Sequence, residues 1–247
     1  MPQKTTSYRY PVACLTLNLS QIFKVSIDKG DSWHACQSVF WRPGQLHVVD
    51  IAHDDVMAAL FMDPFYQNLE CVRDGMTSST AGLLFDFISE AETIDLAKKM
   101  YTDRPSYEMA DQSLQQVLSK HVSPYIQMVD SRVRTVVDII RSDPAQKLSI
   151  SDLAESVALS KVHLMQLFKQ KTGMTIGKFQ LWGKVLLASH YILSGNKITD
   201  AAVRAGFSDA AHFNRSFKEM IGIPPSALFD TKHGGIDMRV DKTLFNE

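Results

Sequence analysis

The side chains best suited to binding chemistry lie in two short segments of the C-terminal half of the chain. Lys161, Gln166 and Lys169 lie in the first segment, and Asn214 and Arg215 lie in the second. Gln and Asn amides can hydrogen-bond the edge of an adenine, Arg can bind guanine or phosphate, and Lys can bind phosphate. These residue types therefore indicate a surface that binds a polyanion and contacts base edges.

The N-terminal half holds the residues that have catalytic or metal-binding chemistry. His34, His47 and His53 carry imidazoles, but no His-x-His pair is present, so their spacing does not predict a metal site. Asp54 and Asp55 fall in a predicted turn, where Asp is favoured for its hydrogen bonds to the backbone. We find no Ser-His-Asp or Cys-His arrangement and no glycine-rich phosphate loop, and we expect a protein that is not an enzyme and has no cofactor.

Charge is distributed unevenly along the chain. Residues 1–128 carry 10 Lys and Arg against 15 Asp and Glu, whereas residues 129–229 carry 13 against 8, although the whole chain has a net charge of -1. A basic segment joined to an acidic one is typical of a nucleic-acid-binding module fused to a second domain. The charge pattern therefore places polyanion binding in the C-terminal half.

The composition of the 247-residue chain, 45% hydrophobic and 21% charged, is sufficient for two packed domains. Cys14, Cys36 and Cys71 are too far apart to form a disulfide framework or a zinc site, and we predict that they are buried thiols in a reducing compartment. No apolar run approaches the ~18 residues of a membrane span, and the segment 8–19 resembles a strand more than a signal peptide. We expect a cytoplasmic protein that does not bind membranes.

The hydrophobic pattern changes its period within the N-terminal half. Short apolar or alternating runs separated by turn residues predict a β-rich region at 10–62, a small pair of sheets or a barrel. Beyond Asp63-Pro64 the apolar residues recur three or four apart, which predicts helices over 64–122. These helical stripes fit a core or a dimerisation surface equally well. They consist of Leu84, Phe87, Ile88, Ala91 and Ile94, and of Ala110, Leu114, Val117, Leu118 and His121.

Ser123-Pro124 predicts a domain boundary, after which an amphipathic helix carries Val129, Val133, Val136, Val137 and Ile140 and ends near Pro144. An internal repeat follows. Its two copies are offset by 48 residues at the front and by 49 at the back, so one residue is inserted at the turn. The matched positions are Leu153-Ala154, Leu159, Leu164, Phe168-Lys169 and Gly173 in the first copy, and Ala201-Ala202, Phe207, Phe213, Phe217-Lys218 and Gly222 in the second.

Each copy predicts a short helix, a tight turn and a second helix. Ser149 or Ser151 and then Ser160 are the predicted N-caps in the first copy, and Ser208 or Asp209 is the predicted N-cap in the second. Gly206 suits a helix end with a positive φ. The segment between the copies, 175–194, is helical by pattern and ~30 Å long, which is close to one turn of B-DNA. That length allows two recognition helices to enter successive major grooves.

The segment from about Ser149 to Phe229 resembles the DNA-binding domain of the AraC/XylS transcription regulators. The resemblance implies an α+β chain in which a small β-rich, cupin-like N-terminal domain with helices (1–124) precedes an all-α domain (125–229). That second domain comprises two helix-turn-helix units joined by a long helix, with a tail at 230–247. It further implies double-stranded DNA and RNA polymerase as partners of a transcription regulator, for which activation is the expectation although the sequence itself leaves activation and repression open. The matching residues are Leu153-Ala154, Leu164, Phe168-Lys169, Gly173, Phe179, Lys184, Ala188, Leu193, Ile198, Ala202, Gly206-Phe207, Phe213, Arg215, Phe217-Lys218, Gly222 and Pro225.

The predicted DNA contacts are the outward positions of the two recognition helices. An exposed Val162 or Met165 fits a DNA groove, where it meets a thymine methyl, or the surface of a neighbouring helix. Lys171, Lys178 and Arg204 are predicted to be solvated charges. The predicted contacts are Lys161, Val162, Met165, Gln166, Lys169, Ser208, Ala210, Ala211, Asn214, Arg215 and Lys218.

Two classes of protein fit the whole chain. The first is a transcription regulator whose N-terminal domain binds a small-molecule effector or forms a homodimer. The second is a cupin enzyme or metabolite-binding protein with a helical appendage. The repeat favours the first, because only a regulator requires paired recognition helices in a basic segment. Ligand sensing and ligand-free dimerisation remain open alternatives for the N-terminal domain.

Overall fold

The computed structural model describes residues 8–50, 52, 55–62, 64–66, 69–80, 82–121 and 130–229. The chain divides into two compact units, Met1–Ile126 and Gln127–Glu247. The first unit is β-rich with helices and the described part of the second is helical, so the predicted α+β fold class is confirmed. The predicted boundary at Ser123-Pro124, the tail at 230–247, and His53, Asp54 and Val129 lie outside the described residues.

The strands of the first unit form two antiparallel sheets. Among the described residues, one sheet has the strand order β1-β6-β3-β4 and the other has the order β7-β2-β5-β9-β8. The strands are β1 (Tyr8–Arg9), β2 (Ala13–Asn18), β3 (Phe23–Ser26), β4 (His34–Cys36), β5 (Ser38–Trp41), β6 (Leu46–Asp50), β7 (Met57–Met62), β8 (Met76–Thr80) and β9 (Leu83–Phe87).

Strand β2 is buried on both faces, which explains its nearly continuous apolar sequence. Leu15 and Leu17 belong to a core cluster that includes Ile94 and Leu118 of the helices. Cys14, on the opposite face, belongs to a second cluster that contains residues of both sheets. Because successive side chains of a strand point to opposite faces, one six-residue strand supplies both cores.

Three helices accompany the sheets among the described residues: α1 (Leu69–Asp74), α2 (Glu90–Asp103) and α3 (Tyr107–Leu118), the last followed by a 3-10 turn (Ser119–His121). The helical stripe predicted for α3 is confirmed, since Ala110, Val117 and Leu118 are buried. Ser106 begins α3 by accepting a hydrogen bond from the Met109 backbone N–H. These helices supply part of the first core cluster.

The prediction that 64–122 is helical throughout was wrong. Strands β8 and β9 form an antiparallel hairpin whose turn includes Gly82, and β9 also pairs with β5. Leu84 and Phe87 therefore lie in a strand, while Ile94 lies in α2. The apolar residues recur three or four apart because β9 and α2 each contribute part of the series. Pairing with β5 decided that residues 83–87 form a strand.

Four helices in the described part of the second unit form the predicted repeat, and α4, α7 and α10 accompany them. Helix α4 is amphipathic as predicted, with Val133, Val136, Val137 and Ile140 buried, and it ends before Pro144. The helices are α4 (Ser131–Ser142), α5 (Ile150–Ser156), α6 (Lys161–Thr172), α7 (Ile176–Leu193), α8 (Ile198–Arg204), α9 (Ala210–Ile221) and α10 (Pro225–Phe229).

Candidate nucleic-acid interface

The two copies of the repeat fold into helix pairs of identical length. Helices α5 and α8 have 7 residues each, and helices α6 and α9 have 12 residues each. The helix starts are offset by 48 residues in the first helix of each pair and by 49 in the second. The additional residue therefore lies in the turn of the second copy, as the sequence predicted. We call α5–α6 the first unit of the repeat and α8–α9 the second.

Both turns are closed by the same backbone geometry. The Leu159 N–H donates to the Ala154 carbonyl at 2.9 Å, and the Phe207 N–H donates to the Ala202 carbonyl at 3.0 Å. The residue before each donor has a positive φ, 53° at Ala158 and 81° at Gly206. This arrangement satisfies carbonyls at the end of the first helix and redirects the chain into the second.

Each recognition helix begins with a side-chain cap. Ser160 accepts from the His163 N–H at 3.3 Å, and Asp209 accepts from the His212 N–H at 2.7 Å, so Asp209 and not Ser208 is the cap of α9. The His212 backbone N–H and the Ser208 hydroxyl lower the pKa of the exposed Asp209 carboxyl. The Ser208 hydroxyl donates to Asp209 and lies 3.3 Å from His212 Nδ1. Among the alternatives for α5, Ser149 is the cap.

Helix α6 has the inward and outward faces that were predicted. Leu164, Leu167 and Phe168 are buried. Val162 is 65% exposed and Met165 is 47% exposed, so two large apolar side chains lie side by side on the outward face. Lys161, Gln166 and Lys169 are also exposed, so the five outward positions share one surface of the helix.

Helix α9 presents a more polar surface. Phe213, Phe217 and Met220 are buried, and the rings of Phe213 and Phe217 lie 5.5 Å apart. The outward positions Ala211, Asn214, Arg215 and Lys218 are exposed together with Ser208, whereas Ala210 is half-buried and lies less open than expected. The buried phenylalanines therefore fix which side of α9 faces solvent.

Three of the predicted contact residues surround one groove. Asn214, Arg215 and Lys218 line an open groove of about 290 Å³ together with Ile198 of α8 and with the turn that enters α10. The remaining lining residues are Pro224, Pro225 and Ser226. Asn214, Arg215 and Lys218 thus lie along a single surface, and the charges of Arg215 and Lys218 favour a negatively charged ligand there.

Helix α7 joins the two units and contacts both. It packs against α6 near one copy and against α8 and α9 at the other, and its buried residues include Phe179, Trp182 and Val185. Thr175 caps its start by accepting from the Lys178 N–H at 3.3 Å. With 18 residues it is ~27 Å long. A continuous packed helix makes the spacing of the two recognition helices rigid.

Two cationic side chains of the C-terminal, helical unit make contacts that the sequence did not indicate. Lys184 donates from Nζ to the Gly206 carbonyl at 3.0 Å, and burial, followed by the nearby Lys147, lowers its pKa. The Arg204 guanidinium lies 4.0 Å from the centre of the Tyr191 ring and donates to Asn196 Oδ1 at 2.9 Å. The Arg204 side chain is exposed, as expected of a solvated charge, and α8 also places it against the end of α7.

Among the described residues of the N-terminal unit, His34 and His47 have separate aromatic partners. The ring of His47 lies 4.5 Å from that of Trp41 and 4.3 Å from that of Tyr10, and burial lowers its pKa to about 4. His34 stacks on Phe85. Within the part of the chain that the structure describes, three His, Cys, Asp or Glu residues never come together as a metal site would require.

The cysteines are buried free thiols, as predicted. Burial raises the pKa of Cys14 and of Cys36 to about 12. The negative charges of Asp86 and Glu90 also act to raise the pKa of Cys36. Across the described ranges, no helix has the length and apolarity needed to cross a membrane.

Comparison with known proteins places the repeat in a family. Residues 153–231 match the family model described as a helix-turn-helix domain. A segment of 96 residues, 38% of this chain, is 31% identical to the Msm operon regulatory protein of Streptococcus mutans and covers 34% of it. A segment of 100 residues, 40% of this chain, is 30% identical to the transcriptional activator RhaS of Yersinia pestis and covers 37% of it. The chain thus spans about a third of the length of these curated relatives.

Solved structures resemble nearly the whole chain. The apo form of a ToxT variant from Vibrio cholerae matches with a TM-score of 0.62 and 12% identity, over 93% of this chain and 94% of that one. Wild-type ToxT bound to an unsaturated fatty acid matches with a TM-score of 0.57 and 12% identity, over 95% and 94%. At this identity the likeness shows a common fold, a cupin-like unit followed by a helix-turn-helix unit. The family match shows that residues 153–231 of the C-terminal unit form a helix-turn-helix domain.

Proposed function

We propose that this chain is a sequence-specific DNA-binding transcription regulator. The observation that carries the proposal is the pair of helix-turn-helix units with equal helix lengths, each exposing a basic and amide-bearing face. A helical bundle without a nucleic-acid ligand has no need of two such faces at a fixed spacing. The basic balance of residues 129–229 supports the same conclusion.

The linking helix fits the proposal dimensionally. Helix α7 is ~27 Å long; α6 ends just before α7 begins, and α9 comes after α8 beyond the other end of α7. A separation of the two recognition helices near the ~34 Å pitch of B-DNA is therefore available. One molecule then places α6 and α9 in two successive major grooves on one face of the duplex. Its binding site is a tandem of two contact patches about 10 bp apart, without palindromy.

The predicted contact residues divide into three roles. Lys161, Lys169 and Lys218 bind phosphates and set the orientation, and the Ser208 end of α9 approaches the backbone. Gln166, Asn214 and Arg215 contact base edges. The apolar positions Val162, Met165, Ala210 and Ala211 allow close approach to the groove floor.

The cupin-like unit has a different task in this proposal. ToxT, which shares the fold, has been solved with an unsaturated fatty acid. This supports a small-molecule effector for the N-terminal, cupin-like unit of the present chain. Homodimerisation through the N-terminal, cupin-like unit remains the alternative to ligand sensing. Relatives named as activators, RhaS and the lactose operon activator of Staphylococcus xylosus, support transcription activation. In this proposal the chain acts in the cytoplasm with RNA polymerase as a partner.

An enzymatic function is the less favoured candidate. The bifunctional activator and DNA repair enzyme Ada of Escherichia coli matches over 97 residues, but these are only 27% of its length. The matches named as regulators include the Msm operon protein and RhaS. We therefore place the function of the chain in DNA binding and regulation.

The test is binding of the full-length chain to a duplex selected from a random pool. Affinity should fall by about a thousandfold or more between about 50 and 200 mM salt, because each phosphate contact displaces counterions. Lys218→Ala should reduce this salt dependence and weaken binding to all sequences equally. Failure to enrich any duplex, or binding that ignores salt, would contradict the proposal.

A further inference from the structure

The outward faces of the two recognition helices differ in chemistry. Helix α6 exposes Val162 and Met165, at 65% and 47%, where α9 exposes Asn214 and Arg215. Val162 and Met165 are three residues apart and therefore adjacent on the same side of the helix. The first unit thus presents an apolar pair where the second presents hydrogen-bonding groups.

The apolar pair lies inside a cationic surface. Exposed Lys161 and Lys169 flank it, and helix α6 contains no Asp or Glu. A protein partner that buried Val162 and Met165 would also have to neutralise these lysines. DNA meets both demands at once, because phosphates line the groove and the floor of the major groove carries apolar methyl groups.

Only one base offers an apolar group at that floor. Thymine carries a C5 methyl in the major groove, whereas the other three bases present hydrogen-bond donors and acceptors there. Gln166, next to Met165 on the exposed face, complements the N6 and N7 atoms of adenine, the partner base of thymine. The three side chains therefore favour the same base pair.

We propose that Val162 and Met165 are specificity-determining residues that contact thymine methyl groups, so that the first unit selects an A·T-rich half-site. This inference rests on the proposed function as a DNA-binding protein. The second unit selects a half-site of different composition through Arg215 and Asn214, which suit guanine and adenine. The two halves of the binding site differ, and the difference fixes the direction in which the protein lies on the duplex.

The test removes one methyl group at a time from the DNA. A site is selected with the full-length chain, and each thymine is then replaced by deoxyuridine, which keeps the base pairing and lacks only the C5 methyl. Affinity should fall about fourfold for each contacted methyl, the factor that corresponds to burial of one methylene-sized group. The sensitive thymines should lie within one half of the site.

Variants assign the methyl contacts to residues. Val162→Thr keeps the shape of the side chain and replaces one methyl by a hydroxyl, and one thymine should lose its sensitivity to deoxyuridine in this variant. Met165→Ala should remove the sensitivity of another. Val203→Thr is the matched control, because Val203 is 61% exposed on α8, outside both recognition helices, and it should leave every sensitivity unchanged.

The outcomes separate this inference from the proposed function. Specific binding with equal affinity for thymine and deoxyuridine, or equal deoxyuridine sensitivity in wild type and Val162→Thr, would overturn the inference while DNA binding stands. A selection that enriches no duplex overturns both. Because Val162 and Val203 are exposed, unchanged melting temperatures should show that neither variant perturbs the fold.

Discussion

The first and second helix-turn-helix units share a backbone and differ in what surrounds their turns. Ala158 adopts the left-handed conformation at an exposed position of the first turn. At the matching position of the second turn, a Cβ on Gly206 would lie 2.3 Å from the Ala145 carbonyl oxygen and 3.0 Å from Lys184 Nζ. The same turn therefore accepts alanine in the first copy and requires glycine in the second, where the Ala145 carbonyl lies too close for a Cβ.

The difference extends to function. The turn of the second unit is held by Lys184 and by the loop containing Ala145, and its recognition helix carries the polar groups Asn214 and Arg215. The turn of the first unit is open, and its recognition helix carries the apolar pair Val162 and Met165. Two copies of one motif thus differ both in the support of the turn and in the chemistry of the exposed face of the second helix.

The largest expected effect comes from changing how the two units are joined. One residue inserted after Ala188 rotates all that follows by ~100° and shifts it by ~1.5 Å. The second recognition helix then faces away from its groove, and specific affinity should fall to the non-specific level, a loss of about 4 kcal/mol or more. Footprinting measures this, and wild type should show two protected patches about 10 bp apart.

Protection of a single groove by wild type would show that only one unit contacts DNA, and the insertion would then have little effect on specific affinity.

The second prediction compares matched core residues. Phe168 and Phe217 occupy the same position of the repeat and are both 0% exposed. Replacing either by Ala should lower the free energy of unfolding by about 3–5 kcal/mol through lost burial and a cavity. Denaturant unfolding measures the loss, and exposed Lys169→Ala and Lys218→Ala are the neighbouring controls. A Phe variant that unfolds at the wild-type denaturant concentration would show that the inward faces were assigned incorrectly.

The third prediction exchanges the turn residues. Gly206→Ala should destabilise the protein by about 2–4 kcal/mol, because the new Cβ meets backbone and the φ of 81° is unfavourable for alanine. Ala158→Gly should change stability by less than about 1 kcal/mol, since relief of the positive φ is offset by greater freedom of the unfolded chain. Thermal unfolding of both variants tests the contrast. Equal losses would mean that packing around the two turns is the same.

The smallest expected effect concerns DNA affinity alone. Arg215→Ala should weaken binding to the preferred site by about 1–3 kcal/mol and relax the preference at one base position. Gln166→Ala should do the same in the other half of the site. Repeated selection with each variant locates the affected position. An unchanged preference in either variant would assign that side chain to a role other than base contact.

Much of the DNA-binding unit was predictable because its signals are local. The cap at Ser160, the buried Leu164 and Phe168 and the inserted turn residue all depend on neighbours within one helix pair. The outward faces followed from the inward ones, since a helix that buries one stripe exposes the other. The sequence by itself therefore determined the repeat and the candidate contact residues.

Tertiary structure decided the features that depend on distant residues. The hairpin β8–β9 escaped prediction because its pairing with β5 outweighed a local pattern that looked helical. The bond from Lys184 to Gly206, the packing of Ala145 on that glycine and the position of Arg204 over Tyr191 each join residues that no local period connects. The physical reason is that these contacts form only after the helices have packed, whereas caps and apolar stripes act within each helix.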